Sequence, residues 1–226
     1  MTLNFGDQSC LHPTTNAVCE GFSIGAPPAL LTRTFGVSVP SLPGEIVKPG
    51  QPAMIIRTGN NSQGVTSIMT WGICPPPAAD ASPAGRVCTV HTEDDPLYWQ
   101  LIASQRCVIP ATGYLLRSTT SPGKPCHHVS MKDASLFAFA GLWSSWHNHG
   151  GASLESFSIL TTVANILLSP FHSAMPVILH YSESAYWLMH GMQGIECFFM
   201  PYPSDLMQIS RLHHSDPVAG SAAVRR

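Results

Sequence analysis

The sequence predicts a mixed α+β fold: a single β-rich domain with a barrel-like sheet and a few short helices. Short apolar or alternating runs recur at close spacing between turn formers, which is the pattern of a strand-rich domain. With 18 Gly and 20 Pro in 226 residues, the chain is rich in turns but not of low-complexity composition. It is 44% hydrophobic and only 11% charged, enough apolar surface for a full core and too little charge for a disordered or coiled-coil chain.

Residues 1–50 are dominated by turn formers and read as irregular segments wrapping a core. PAMIIRT (52–58) and TSIMTWGI (66–73) read as strands joined by a hairpin loop, NNSQG. CPPPAADASPAG (74–85) is a loop, because consecutive prolines remove backbone donors and forbid a helix. DDPLYWQLIASQR (94–106) reads as a helix, with Asp94 or Asp95 at its cap and Pro96 in its first turn. RCVIP, TGYLLRS, HHVSM, LFAFAGLWSSW (136–146) and SFSILTT (156–162) follow as strands. VANILLSPFH (163–172) reads as a short helix broken at Pro170, and MPVIL as a buried strand. SESAYWLMHG (182–191) is a helix with a Ser cap and a Gly stop, and LMQIS (206–210) a last strand. SAAVRR (221–226) is a loose tail.

The net charge of −2 gives no support to broad neutralisation of a nucleic-acid backbone, though a groove with a few placed cations stays open. Seven cysteines form an odd set without a C-x-x-C pair, so a reducing compartment fits better than a disulfide framework. The amino terminus has no signal-peptide pattern, and no run approaches the ~18 apolar residues of a membrane span. These features point to a cytoplasmic protein. No phosphate loop, nucleophile elbow or H-E-x-x-H occurs. The His pairs at 127/128, 147/149 and 213/214 match no zinc spacing and read as surface residues, so no metal and no cofactor is expected. Cys74 and Cys107 sit in apolar runs as small buried side chains, and Tyr98-Trp99 and Tyr186-Trp187 read as core. Residue patterns alone end at a soluble β-rich domain.

Six segments, in order, resemble the SRAP family (SOS response-associated peptidase): IVKPGQPAMII (46–56), MTWGICPPPAAD (69–80), RCVIPATGY (106–114), FAFAGLWSSW (137–146), ILTTVAN (159–165) and FHSAMPVIL (171–179). The matches span about 46–190, and the resemblance implies one SRAP-like domain over 1–220. It further implies a partner, single-stranded or gapped DNA carrying an abasic site, in a DNA-damage (SOS) context, with no membrane and a monomeric state. Family chemistry uses the α-amine and thiol of a cysteine exposed by loss of the initiator Met. The amine forms an imine with the ring-opened sugar and the thiol closes a thiazolidine. An Asn orients the sugar, a Glu and a His move protons, an Arg holds phosphate and aromatic residues wedge bases.

Here the sequence departs from that pattern. The family begins M-C-G-R-F, whereas this chain begins Met1-Thr2-Leu3-Asn4-Phe5, so Thr2 stands at the nucleophile. Cys10 is the nearest thiol but is not terminal. The family's N-A-R-x-E-T aligns with residues 89–94: Thr89 replaces the Asn, His91 replaces the Arg, and Glu93 is kept. G-F-Y-E-W aligns with residues 113–117, placing Tyr114 at an aromatic cleft position and Leu116 at the catalytic Glu. The Trp wedge falls in Pro75-Pro76-Pro77, while His172 keeps the family His. The resemblance therefore implies catalytic positions at His172, Thr2 and Thr89, and a cleft or DNA-binding set of Glu93, His91, Tyr114, Thr161, Asn4 and Leu116. Arg57, Arg106, Arg117 and Arg211 are candidate phosphate contacts. The expected function is DNA binding with impaired cross-linking and autopeptidase chemistry. The alternatives are a scaffold holding a protein or small ligand in the former cleft, or an imine-forming abasic-site lyase.

Overall fold

The computed structural model describes residues 18–40, 46–59, 63–74, 86–92, 96–147 and 151–212. Thr2, Asn4, Cys10, Glu93, the candidate caps Asp94 and Asp95, the prolines 75–77 and the 221–226 tail lie outside them. The strands are β1 (Gly21–Ser23), β2 (Ile46–Val47), β3 (Pro52–Thr58), β4 (Gly64–Trp71), β5 (Thr89–His91), β6 (Arg106–Ala111) and β7 (Gly113–Arg117). They continue as β8 (Cys126–Met131), β9 (Phe137–His147), β10 (Ser153–Val163), β11 (Ala174–Pro176), β12 (Ile178–His180) and β13 (Met207–Arg211). Three short helices accompany them: α1 (Pro28–Phe35), α2 (Pro96–Ser104) and α3 (Ser184–Met189). The mixed, strand-rich α+β class is the one expected.

Two sheets form the body. A five-stranded sheet runs β13-β8-β7-β1-β2. An eight-stranded sheet runs β11-β10-β4-β3-β6-β9-β12, with β5 beside β10. Because β10 pairs with β9 as well as β4, the hydrogen bonding follows a circuit through β10, β4, β3, β6 and β9. Alternation along the strands divides the core. Cys107, Ile109, Phe137, Phe139, Phe157 and Ile159 of the large sheet pack with Phe22, Tyr114, Leu116 and Val129 of the small one. Their neighbours Val108, Ala138, Ala140, Leu142 and Leu160 face the other way, onto Leu101 and Ile102 of α2 and Trp187 and Leu188 of α3.

Three expectations about elements need correction. The first fifty residues are not all irregular, since α1, β1 and β2 lie there. Helix α1 has Pro in its first turn and ends at Gly36, whose φ of 67° supplies the left-handed residue that closes a helix. The segment 163–172 is not a helix: β10 extends through Val163, and a turn follows. Asn165 explains the change. Its Oδ1 accepts the N–H groups of Leu167 at 3.1 Å and Leu168 at 3.0 Å, and Pro170 prevents a second turn. Lastly, the expected helix at 182–191 opens as a 3-10 turn (Tyr181–Glu183) and becomes α-helical only over Ser184–Met189.

Arg106 joins the helices to the large sheet. Buried at the start of β6, it donates from Nε to the Trp187 carbonyl at 2.6 Å, from Nη1 to the Ile102 carbonyl at 2.6 Å, and from Nη2 to the His190 carbonyl. All three carbonyls lie at the C-terminal ends of α2 and α3, where backbone oxygens lack helical partners and the helix dipole is negative. Burial lowers the pKa of the guanidinium, and Arg106 has no carboxylate partner among the described residues.

Candidate functional site between the two sheets

β10 lays out one wall. Ile159 has Gly141 of β9 on one side and Thr89 of β5 on the other, and Thr161 has His91 on one side and Pro176 of β11 on the other. Thr161 is buried, and its Oγ1 donates to the Val90 carbonyl at 3.3 Å while its own carbonyl accepts from Thr92 N–H at 2.9 Å. Thr161 shares its face with Phe157 and Ile159, which look toward the small sheet. Val90 packs in the opposite core, so Thr89 and His91 share the inter-sheet face with Thr161. Residues from two segments distant in sequence, β5 and β10, are thus set in register on one face.

The facing wall is β7. Tyr114 and Leu116 both point inward, at 1% and 0% exposure. Tyr114 makes an edge-on contact with Phe139, ring centroids 5.7 Å apart, and its hydroxyl has no hydrogen-bond partner among the described residues. Burial pushes its pKa well above the ordinary phenol value, with Cys19 a smaller contribution. Tyr114 is therefore a wall residue, more enclosed than an open cleft position would be. Leu116 pairs across the ladder with His127 of β8. His127 is buried, against the expected surface placement; its Nδ1 is unpartnered, and its ring lies 4.5 Å from that of Phe171. Burial, then Arg211, lowers its pKa, and burial lowers that of His128.

His172 belongs to the turn between β10 and β11. Its N–H donates to the Leu168 carbonyl at 3.0 Å, and Ala164 N–H to the Ser173 carbonyl at 2.9 Å, so the turn closes on itself. Thr119 N–H donates to the Phe171 carbonyl at 2.8 Å and Thr120 Oγ1 to that of Pro170 at 2.6 Å, which ties the turn to the end of β7. These bonds hold the His172 turn against the residues that follow Leu116 and Arg117 of β7. The imidazole is 3% exposed, and its Nδ1 accepts Ala174 N–H at 3.0 Å. An accepting Nδ1 assigns the ring proton to Nε2. His172 therefore carries its ring proton at Nε2.

The candidate cations divide. Arg106 is committed to helix ends and offers no phosphate contact, correcting that expectation. Arg117 pairs with Glu20, which raises its pKa through their hydrogen bond. Arg57 lies over the Trp143 ring, 4.9 Å from its centroid, and donates to Ser67 Oγ at 3.0 Å. Arg211 is exposed at the end of β13, opposite His127 in the register β13–β8. Two buried thiols, Cys19 and Cys107, have pKa values raised by burial, which disfavours the nucleophilic thiolate. Cys74 is also buried, as expected. Sequence reasoning missed His127, because nothing in HHVSM tells which histidine faces inward until the β7–β8 register is known. Among the described residues no three His, Cys, Asp or Glu side chains gather as a metal site, and no helix is long and apolar enough to cross a membrane.

Two packed sheets with Thr161 and His172 at one end of their interface define a fold shared with solved structures. A protein from Bordetella bronchiseptica has a TM-score of 0.74 at 20% identity, over 86% of this chain and 100% of that one. One from Bacteroides thetaiotaomicron has a TM-score of 0.74 at 20% identity, over 87% and 93%. The chain belongs to the SRAP family, SOS response associated peptidase, which it matches over residues 19–215. Among its relatives, Abasic site processing protein YoaM of Bacillus subtilis (strain 168) is 31% identical over 184 residues, 76% of this chain and 80% of that protein. Abasic site processing protein YoqW of Bacillus phage SPbeta is 30% identical over 184 residues, 76% of this chain and 81% of its own length.

Proposed function

We propose that this chain binds single-stranded or gapped DNA at abasic sites as part of a DNA-damage response, and that it has lost the stable thiol cross-link of its family. The observation that carries the reading is the His172 turn: a buried imidazole with its proton assigned to Nε2, joined to Thr161 and the end of β7, in a chain whose relatives are named for abasic site processing. Thr2 at the nucleophile position can offer an α-amine once Met1 is removed, but no thiol. An amine and the ring-opened sugar aldehyde give an imine and release water, and the reaction stops there without sulfur to close a thiazolidine. His172 Nε2–H donates a hydrogen bond to the departing oxygen, which takes its proton from solvent and leaves as water, with Thr2, Thr89, Asn4 and Glu93 as the supporting positions. Leu116, sealed in apolar packing at the family Glu, transfers no proton. The protein acts as a monomer in the cytoplasm, with one SRAP domain over 1–220.

The test is a binding titration with single-stranded and gapped abasic DNA at low salt, followed by intact-protein mass spectrometry with and without borohydride. The expected result is binding, with no adduct that survives without reductant. A stable adduct without borohydride overturns the impaired chemistry. Failure to bind abasic DNA, on protein shown by the same spectrum to lack Met1, overturns the DNA reading in favour of a repurposed scaffold.

A further inference from the structure

A groove of about 440 Å3, lined by none of the residues assigned to the DNA site, opens between β12 and the segment that leads into β13. Ile178, Phe198, Met200, Pro201, Tyr202 and Leu206 make it apolar, and Met200 and Leu206 are 68% and 49% exposed. Its outer wall is anchored: Thr162 Oγ1 donates to the Phe199 carbonyl, and Asn165 Nδ2 to the Tyr202 carbonyl at 2.7 Å. Pro201 and Pro203 fix φ on either side of Tyr202, so the wall has little freedom to lose on binding.

The rim is acidic. The described residues hold six carboxylate side chains: Glu20, Asp133, Glu155, Glu183, Glu196 and Asp205. Four of them border the groove. Glu183 lines it, and Glu196 and Asp205 directly precede the lining residues Cys197 and Leu206. Asp133 acts on Tyr202, whose pKa is raised by burial and then by Glu183 and Asp133. Three of the four are held in place by a backbone N–H: Glu183 by that of His180 at 2.7 Å, Asp133 by Ser135 at 2.9 Å and Glu196 by Gly194 at 3.0 Å. None of the four forms an ion pair among the described residues, where the one salt bridge joins Glu20 to Arg117. Lys132 is the cation beside Leu206, to whose carbonyl its N–H donates at 3.0 Å. An apolar strip under uncompensated carboxylates repels phosphates and attracts Lys or Arg, and the Tyr202 ring adds a face on which a cation can rest.

We infer that this groove docks a protein segment in which an apolar side chain adjoins Lys or Arg. The apolar side chain seats on Phe198, Met200 and Leu206, and the cation is received by Glu183, Asp133 and Tyr202. The docking uses no residue of the DNA site and stands independently of that reading.

The test is fluorescence anisotropy of the full chain, without DNA, using a labelled peptide of three Leu-Lys repeats. Peptides of three Leu-Glu and three Gly-Lys repeats are the comparisons. The Leu-Lys peptide should bind roughly tenfold or more tightly than either. Met200→Ser should weaken its binding roughly five- to tenfold, through the lost apolar seat. Asp133→Asn keeps an oxygen for the Ser135 N–H and should weaken it roughly two- to fivefold. Glu155→Gln, on β10 outside the groove, should bind as the unaltered chain does. Thermal unfolding checks that the variants stay folded, as their exposed positions should allow. Equal binding of the Leu-Lys and Leu-Glu peptides, or of Leu-Lys and Gly-Lys, overturns the proposal. So does failure of the Leu-Lys peptide to bind, or binding unchanged in both Met200→Ser and Asp133→Asn. Since no DNA is present, each of these outcomes leaves the DNA reading where its own titration puts it.

Discussion

Replacing Leu116 with the acid that the family resemblance implies there, Leu116→Glu, tests the inter-sheet site directly. Leu116 is fully buried, so the exchange forfeits about 2–3 kcal/mol of apolar burial and packing. Enclosing a carboxyl adds about 1–3 kcal/mol of desolvation cost. One partner is in place: His127, opposite on β8, has an unpartnered Nδ1. A charge-assisted bond between them offsets about 1.5–3 kcal/mol. The net expectation is a loss of about 2–3 kcal/mol, survivable for a domain of ordinary stability, about 5–15 kcal/mol. The carboxylate would also raise the His127 pKa from its present depressed value, since an opposite charge favours the imidazolium. The assay is urea denaturation at pH 7 with NMR titration of the His127 ring. A loss below about 0.5 kcal/mol would refute the sealed apolar site, because surface positions behave that way. A fall in the His127 pKa would refute the facing geometry. The exchange alone should yield no adduct stable without borohydride, since it supplies no thiol at residue 2.

Arg106→Met should cost about 3–5 kcal/mol in chemical denaturation, because three buried carbonyls at the ends of α2 and α3 lose charged donors; a cost under 1 kcal/mol would sink the clamp reading. Stability should fall with acid. His127 and His128 have folded pKa values below the unfolded value of about 6.5, so the unfolded chain binds protons first; stability is complete above that pH and declines as pH drops through 6.5 toward the folded values. His127→Phe keeps a ring against Phe171 and should flatten the dependence of Tm on pH, whereas an unaltered slope would exonerate His127. Gly141→Ala on β9 places a methyl 2.3 Å from Ile109 Cδ1 and 2.7 Å from the Ser158 carbonyl oxygen, and should lower Tm at a cost of about 1–3 kcal/mol; wild-type Tm would mean the strands separate more easily than their pairing implies.

The strands were legible because period-two burial leaves a mark in residues such as FAFAGLW, whose alternate members pack in two different cores. The turn at 164–172 was not, because apolar VANILL fits a helix until Asn165 is seen to accept the very N–H groups that a helix would use. Helix α1 carried signals at both ends, Pro28 and Gly36, yet its short run lies among turn formers that mask it. For the site, the family motifs pointed to Thr89, His91 and Thr161, and strand register sets them on one face. The fate of each arginine was beyond the sequence. Arg106 and Arg117 look alike there, but one is claimed by helix ends and the other by Glu20, and the α3 carbonyls and Glu20 arrive from distant parts of the chain.

The substitutions that the family resemblance implies at catalytic positions are physically consistent with one another. A carboxyl enclosed between two sheets is tolerated where its proton is needed; once no thiol closes the ring, it is a desolvation cost without return, and an apolar residue of similar volume removes that cost. Leu116, packed among Tyr114, Val129 and Phe139 in one cluster, is that replacement. The position of His172 is under a different constraint. Its backbone N–H and Nδ1 are both used in closing the turn between β10 and β11, so the residue holds its loop whatever chemistry its Nε2–H takes part in. On the proposed function, the part of the site that is kept is the part whose residues also serve the fold.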